Sequence, residues 1–127
     1  MSEDRQHRSF ESSATAVGEA RRFVSGMLQE RHLAASPADI LVSELATNVV
    51  KHARTAFTVS VDISSLVRVE VSDGNSHLGE AVEADLLSDR GRGLRIVEAL
   101  SEAWGIDHGA TGKIAWFEVR AEPDPTA

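Results

Sequence analysis

The stretch FTVSVDISSLVRVEVSDGN, residues 57–75, decides the fold. Apolar and polar residues alternate over 57–63 and again over 67–71, which is the period of a strand with one buried face. Ser64 and Ser65 separate the two runs and predict a turn. The stretch therefore predicts an antiparallel hairpin whose one face packs on a core.

Helical patterns lie on both sides of this hairpin. Apolar residues recur at helical spacing over 14–32, and the start Ser36-Pro37-Ala38-Asp39 predicts a second helix that runs to about Ala53. A third helix is predicted from the glycines at 91 and 93 to Trp104, followed by strands at about 104–107 and 113–120. This order predicts an α+β fold, a two-layer sandwich with a mostly antiparallel sheet covered by helices on one face.

Length and composition indicate one globular domain. The chain has 127 residues, of which 42% are hydrophobic and 26% charged, enough for one core. We expect a flexible N-terminal segment at 1–12, a single domain at 13–121 and a flexible tail at 122–127.

Charge and residue usage exclude several classes of function. The formal net charge of −7 disfavours direct binding to nucleic acid. No apolar run is long enough to span a membrane, and the polar start lacks a secretory signal, so we expect a cytoplasmic protein without a membrane partner. The absence of cysteine excludes disulfides, thiolate metal sites and thiol nucleophiles.

The second predicted helix carries polar residues at helical spacing. Glu44 and Asn48 lie one turn apart on the same face, with Lys51 and His52 a turn further on. A solvated face of an amphipathic helix would explain them. The functional alternative is a carboxylate base beside an amide oxygen that binds Mg²⁺, with a lysine close to phosphate.

Asp73 continues the inward parity of the second hairpin strand. A buried carboxylate needs hydrogen-bond donors, and the exocyclic amine of adenine would supply one. The alternative is an Asp-Gly turn with Gly74, in which the aspartate bonds its own backbone. Both interpretations stay open at this point.

A glycine-rich stretch, Arg90 to Leu94, opens the third predicted helix. Glycines at a helix start let backbone N–H groups approach a phosphate, although a flexible helix entry would explain them equally well. The acidic stretch 80–89 before it predicts a loop. The five histidines show no spacing typical of metal ligands.

Taken in order, four motifs resemble the GHKL ATPase superfamily, and within it the short anti-sigma-factor kinases and regulatory ATPases. The motifs are ELATNVVKH at 44–52, VSDGN at 71–75, GRGLRIVEAL at 91–100 and GKIAWFEV at 112–119. The resemblance covers roughly residues 14–120. It implies the Bergerat-type ATP-binding fold, with ATP and Mg²⁺ as cofactors.

The resemblance also implies roles for individual residues. Glu44 would polarise the attacking hydroxyl, and Asn48 would bind Mg²⁺. Asp73 would read the adenine amine. The remaining implied nucleotide contacts are Lys51, His52, Gly74, Gly91, Arg92, Gly93 and Leu94.

The implied reaction transfers the γ-phosphoryl group of ATP to a serine or threonine of an anti-anti-sigma protein. The kinase would otherwise hold a sigma factor, the loop at 80–89 would act as a lid, and a homodimer is expected because related kinases dimerise. The alternatives are a non-catalytic or nucleotide-gated sigma-factor-binding module and an N-acetyltransferase, whose coenzyme A turn resembles DRGRGL at 89–94.

Two positions depart from the family pattern. The family usually has a second glycine two residues after Gly74. This chain reads Asn75-Ser76 after Gly74, so that glycine is absent. Near Lys113 the family commonly has a threonine that supports the adenine site, and Ile114 lies at about that place.

Overall fold

The computed structural model describes residues 4–53, 55–73, 92–108 and 112–126, without the side chains of 52, 53, 92–94 and 108. Within these residues three helices accompany one five-stranded sheet of order β1-β2-β3-β5-β4, in which all neighbours are antiparallel. The predicted α+β fold is confirmed. The elements are β1 Arg5–Phe10, α1 Ala16–Glu30, α2 Ala38–Asn48, a π-helical turn Val49–Ala53, β2 Phe57–Ile63, β3 Leu66–Ser72, α3 Arg92–Leu100, β4 Ala103–His108 and β5 Lys113–Arg120.

The predicted hairpin forms the centre of the sheet. In β2 and β3, Val59 pairs with Val71 and Val61 with Val69, and all four side chains are buried. We call the face that carries them the inner face, because the helices pack on it, and the opposite face the outer face. Successive side chains of a strand point to opposite faces, and the valines of the hairpin are two residues apart within each strand. All of them therefore lie on one side of the sheet.

Two helices supply most of the opposing layer. α1 buries Ala20, Val24 and Leu28, and α2 buries Leu41 and Leu45, at the spacing of a helix with one apolar face. The third predicted helix is shorter than expected, since it ends at Leu100, and Trp104 instead lies in β4 opposite Phe117. No described helix is long and apolar enough to cross a membrane.

The second helix changes its geometry at its C-terminal end. The prediction of one helix to about Ala53 is corrected, because the α-helix ends at Asn48 and a π-helical turn follows. Thr47 and Asn48 each donate a side-chain hydrogen bond to the carbonyl four residues earlier, at 2.6 and 3.0 Å. Such bonds compete with the backbone ladder and loosen a helix, and π turns often accompany functional sites.

The two chain ends correct the expected flexible segments. Residues 5–10 form β1 on β2, where Phe10 stacks on Phe57 with ring centroids 5.5 Å apart. The sequence hid this strand because its other five residues are exposed and mostly polar. At the other end, the N–H of Ala34 donates to the carbonyl of Glu122 at 2.8 Å and Pro123 bridges Leu33, so residues 122–123 pair with the loop after α1.

Candidate functional site

Three polar side chains are buried among the described residues. They are Asn48, Asp73 and Lys113, with 9%, 7% and 8% of their surfaces exposed. Burying a polar group is costly unless it is hydrogen-bonded, so such groups are rarely placed in a core without a reason. Their common location therefore decides where a candidate site lies.

All three belong to elements that meet at one end of the sheet. Thr58 of β2 pairs with Ser72 of β3, which pairs with Ile114 of β5, so β2 and β5 begin where β3 ends. The π-helical turn after α2 reaches β2 through residues 54–56 alone, so the C-terminal end of that helix lies at the same end of the sheet. A direct contact joins them, because Thr55 donates its hydroxyl to the backbone oxygen of Asp73 at 3.3 Å.

The C-terminal end of α3 lies toward the opposite end of the sheet. α3 leads into β4 after two residues, and the N–H of Glu102 donates to the carbonyl of Glu118 at 2.7 Å, which lies toward the far end of β5. Val97 is buried and α3 contacts α2, so the helix lies along the inner face. Its nine residues span about 13 Å.

Asn48 has an orientation suited to a cation. Its amide nitrogen donates to the backbone oxygen of Glu44 at 3.0 Å, which leaves the amide oxygen directed away from that carbonyl. Hard cations such as Mg²⁺ take oxygen ligands and keep several waters, so one protein oxygen fits them. No group of three or more metal-binding side chains occurs among the described residues, so a site with mainly protein ligands is not found there.

The remaining residues predicted on the second helix differ in their surroundings. Glu44 is half-buried one turn before Asn48, and Lys51 is exposed within the π-helical turn. The wider π turn alters the angle at which Lys51 leaves the axis, so its alignment with Asn48 on one α-helical face is corrected. The His52 side chain lies outside the described residues.

Asp73 points inward, as its parity predicts. It follows Val67, Val69 and Val71 on the inner face and is buried like them. Its N–H donates to the carbonyl of Lys113 at 3.4 Å, which extends the β3–β5 ladder by one residue. Gly74 lies outside the described residues, so the alternative of an Asp-Gly turn is not addressed by the structure.

Lys113 is the site residue that the sequence interpretation missed. It shares the inner parity of Ala115, Phe117 and Val119, and its side chain is buried beside Asp73. Ile114, which lies at about the place of the family's threonine, pairs with Ser72 on the outer face. It therefore does not adjoin the buried aspartate. The alternation of side chains between the two faces of β5 predicts from sequence that Lys113 points inward and Ile114 outward.

The glycine-rich stretch is only partly described. α3 begins at Arg92, which confirms the predicted helix start. The side chains of Arg92 and Leu94, and all of Gly91, lie outside the described residues, and so does the expected loop at 80–89. Gly93 belongs to the first turn of α3, where backbone N–H groups have no partner within the helix.

Comparison with known proteins agrees with this arrangement. A family model described as the histidine kinase-like ATPase domain matches residues 10–119. The crystal structure of the RsbU and RsbW domains of Rv1364c from Mycobacterium tuberculosis is similar in fold, with a TM-score of 0.71 and 21% sequence identity. That match covers 92% of this chain and 32% of the other, so this chain spans about a third of its length.

A search of curated proteins finds no significant match. The family match nevertheless extends from the end of β1 to the end of β5 and includes all three buried polar residues. The resemblance to the GHKL superfamily is thereby confirmed, and this chain belongs to the family of histidine kinase-like ATPase domains.

Proposed function

We propose that this chain is an ATP-binding regulatory protein, an anti-sigma factor that phosphorylates a serine or threonine of an anti-anti-sigma partner. The observation that carries the proposal is the burial of Asn48 and Asp73 at one end of the sheet, in a chain of this ATPase family. A structural role alone would not require both an amide and a carboxylate to be buried at one end of the sheet. A purine nucleotide with a cation matches the chemistry of both groups, since the base offers an amine donor to a carboxylate and the cation takes an amide oxygen as a ligand.

Each group has a chemical task in this proposal. The carboxylate of Asp73 accepts a hydrogen bond from the exocyclic amine of adenine. The N–H groups at the start of α3, from Arg92 onward, face the phosphates, where the helix dipole also favours negative charge. Asn48 contributes its amide oxygen to Mg²⁺, and Lys51, His52, Gly74 and Gly91 are retained as proposed nucleotide contacts.

The proposed reaction needs positioning more than covalent chemistry. The partner's hydroxyl oxygen forms a bond to the γ-phosphorus, the bond from that phosphorus to the bridging oxygen breaks, and ADP leaves. Glu44 accepts the hydroxyl proton, a role that fits a half-buried carboxylate at the edge of the site. Asn48 would hold Mg²⁺, which would supply positive charge to offset the charge on the phosphates.

The protein partners are part of the proposal. The fold likeness is to a chain that carries an RsbU and an RsbW domain together, and this chain spans about a third of it. A sigma factor, an anti-anti-sigma protein and a second copy of this chain are therefore proposed partners, and the cytoplasm is the proposed location. The family found here replaces the N-acetyltransferase alternative.

Nucleotide binding is tested by thermal unfolding with Mg-ADP. Ligand at about a hundred times its Kd stabilises the folded state by about 2.7 kcal/mol, so the midpoint of unfolding should rise. Asn48→Ala should remove the Mg²⁺-dependent part of that rise. Thr47→Ala is the matched control, because Thr47 makes the same type of hydrogen bond one residue earlier but is exposed. Equal rises in all three proteins, or none in the wild type, would contradict the proposal.

Kinase activity is tested separately by transfer of radiolabelled γ-phosphate to a candidate anti-anti-sigma protein. The wild type should transfer label to serine or threonine, and Glu44→Gln should bind nucleotide while losing most of the transfer. Stable binding to a sigma factor without transfer by either form would instead support the non-catalytic binding module.

A further inference from the structure

The edge strand β1 is the strand whose inner face the helices leave largely uncovered. Its even-numbered residues share the inner face with Val59 and Val61 of β2, yet Gln6 and Arg8 are exposed whereas both valines are fully buried. Within β1, Phe10 alone is buried, at the end of the strand. The helical layer therefore stops short of β1 over most of its length.

A groove lies between β1 and α1, and we call it the edge groove. It is lined by Gln6 of β1 and by Arg22, Phe23, Gly26, Met27 and Glu30 of α1. Its volume of about 210 Å³ is below the ~300–1,000 Å³ of a typical small-molecule pocket, so it suits inserted side chains better. A Cβ added to Gly26 would meet no atom within 4 Å, so the groove is open at that point.

Contacts between β1 and α1 close both ends of this groove. At one end the rings of Phe10 and Phe23 have centroids 6.2 Å apart. At the other end Arg31, directly after α1, donates to the carboxylate of Asp4 at 2.8 Å. The strand is thus held to the helix on either side of the groove, which makes the groove a feature of the fold.

The backbone of β1 has hydrogen-bonding groups that point away from the sheet. The N–H of Ile63 donates to the carbonyl of Asp4 at 3.1 Å, so the even-numbered residues of β1 exchange hydrogen bonds with β2. The N–H and carbonyl groups of Arg5, His7 and Ser9 consequently face the open edge, where no described strand pairs with them. Such an edge is a template for an added strand.

The charges around this edge determine which kind of strand fits. Residues 5–10 contain two arginines, one histidine and no acid. Among the described residues, neither Arg8 nor Arg22 forms an ion pair, and Glu30 lies 4.0 Å from Arg31, which offsets its charge. A second copy of this chain would place the same basic strand against β1. An acidic segment would instead be attracted to it.

We propose that β1 and the edge groove dock an extended acidic segment of a partner protein, which joins the five-stranded sheet at its open edge. The backbone of the segment bonds to Arg5, His7 and Ser9. Its inward-facing side chains are apolar and enter the groove over Phe23 and Met27, while its acidic side chains meet the basic residues of β1. The nucleotide site proposed above lies at the ends of β3 and β5, so this inference does not depend on it.

The competing explanation is that the arginines of β1 only protect an exposed edge from aggregation, a common use of charge on edge strands. Protection requires no groove beside the strand. Docking requires that a segment which complements both the charge and the groove binds, and that it engages the outward-facing backbone groups. Binding of model peptides to the full chain therefore separates the two explanations.

The probe is a short synthetic peptide that alternates glutamate and valine, with binding followed by fluorescence anisotropy and by amide hydrogen exchange in NMR. The amides of Arg5, His7 and Ser9 should become at least ~10-fold more protected, because strand addition engages these outward-facing groups. The amides of Gln6 and Arg8 already bond to β2 and should change little. A matched peptide with lysine in place of glutamate should bind at least ~10-fold more weakly, because like charges oppose it.

Two variants test the groove and the backbone separately. Gly26→Leu fills the groove without crowding the fold, because leucine is a better helix former than glycine, and should weaken the acidic peptide at least ~10-fold. Gln29→Leu is the matched control, since Gln29 is exposed on the same helix outside the groove, and should bind like the wild type. His7→Pro removes one outward-facing N–H but no bond to β2, and should also weaken binding.

Four outcomes would overturn the inference. They are equal binding of the two peptides, no binding of either peptide, unchanged binding by Gly26→Leu, and protection of the amides of Arg5, His7 and Ser9 in a dimer without peptide. The last outcome would assign the edge to a second copy of this chain. The peptide comparison uses wild-type protein, so a misfolded variant does not prevent the test.

Discussion

The inner and outer faces of the sheet use the same strands for opposite purposes. On the inner face, apolar side chains such as Val69 and Phe117 are fully buried, and the two charged side chains that are buried among the described residues, Asp73 and Lys113, lie together at one end. On the outer face, charged residues are spread along the strands and pair with one another, as Arg68 does with Glu70 and Glu118. The buried polar residues of the inner face thus mark a candidate functional site, whereas those of the outer face keep that side of the sheet in contact with solvent.

The outer face nevertheless contains one tightly packed group. The guanidinium of Arg68 lies 4.1 Å above the ring of Trp116, and a Cβ added to Gly105 would lie 2.8 Å from that ring. The indole therefore lies flat on the strand that carries Gly105, with Arg68 above it. A face that is exposed on average can thus still contain a position, here Gly105, where there is no room for a larger side chain.

The largest expected effect is on the inner face. Phe117→Ala removes a fully buried ring from the centre of the core and should lower the free energy of unfolding by about 3–5 kcal/mol. Chemical denaturation measures this change. Ser60→Ala on the outer face of the same sheet is the control and should stay within about 0.5 kcal/mol, as surface substitutions usually do. Similar losses in both variants would contradict the distinction between the faces.

The second prediction concerns β1, at the edge of the sheet. Phe10→Ala should cost about 2–4 kcal/mol, less than Phe117→Ala because an edge strand relaxes more easily around a cavity. It should also speed amide hydrogen exchange in residues 5–10, since Phe10 holds that strand on Phe57. His7 is exposed in the same strand and pairs with Ser60, so His7→Ala is the control and should change neither quantity appreciably. Unaltered exchange in Phe10→Ala would show that the ring does not hold β1.

The third prediction sharpens the exception on the outer face. Gly105→Ala forces its new methyl group against Trp116 and should destabilise the fold by about 1–3 kcal/mol, the usual cost of overpacking. The fluorescence of Trp116 should change because the indole must move. In a Trp116→Leu background the same substitution should cost clearly less, and a double-mutant cycle measures the difference. An equal cost in both backgrounds would mean that the ring is not the obstacle.

The smallest effect is expected for the charges above that ring. Arg68→Met removes two ion pairs and the contact of the guanidinium with the ring of Trp116, and should cost about 1 kcal/mol in low salt. The cost should shrink further at about 1 M salt, where screening is strong. If Arg68→Met lowered the free energy of unfolding as much as Phe117→Ala does, Arg68 would be as important for stability as a core residue, which would contradict the prediction.

The pKa of Arg68 predicts how its contribution to stability depends on pH. Burial alone would lower the pKa, but the hydrogen bonds and charges of Glu70 and Glu118 outweigh it and raise the pKa above the ordinary value for arginine. A raised pKa stabilises the fold below the unfolded value and loses that contribution only as the pH rises through the folded value, far above neutrality. From its own titration, Arg68 should therefore contribute no pH dependence to stability near neutral pH.

Much of the site was predictable from local pattern. The alternation over 57–71 predicted both central strands and the inward direction of Asp73, and the family motifs predicted Asn48 on the second helix. β1 was missed because an edge strand with one buried residue has no visible period. The π-helical turn was missed because the residues over 38–53 keep a spacing that an uninterrupted α-helix would also show.

The sequence by itself determined the two faces of the hairpin and the helical spacing around it, because periods of two and 3.6 residues act locally along the chain. It also carried the motifs that identify the ATPase family. Only the tertiary structure placed Lys113 beside Asp73, because that pairing depends on the register between strands separated by forty residues of chain. Register is fixed by packing across the whole sheet, and no local pattern contains it.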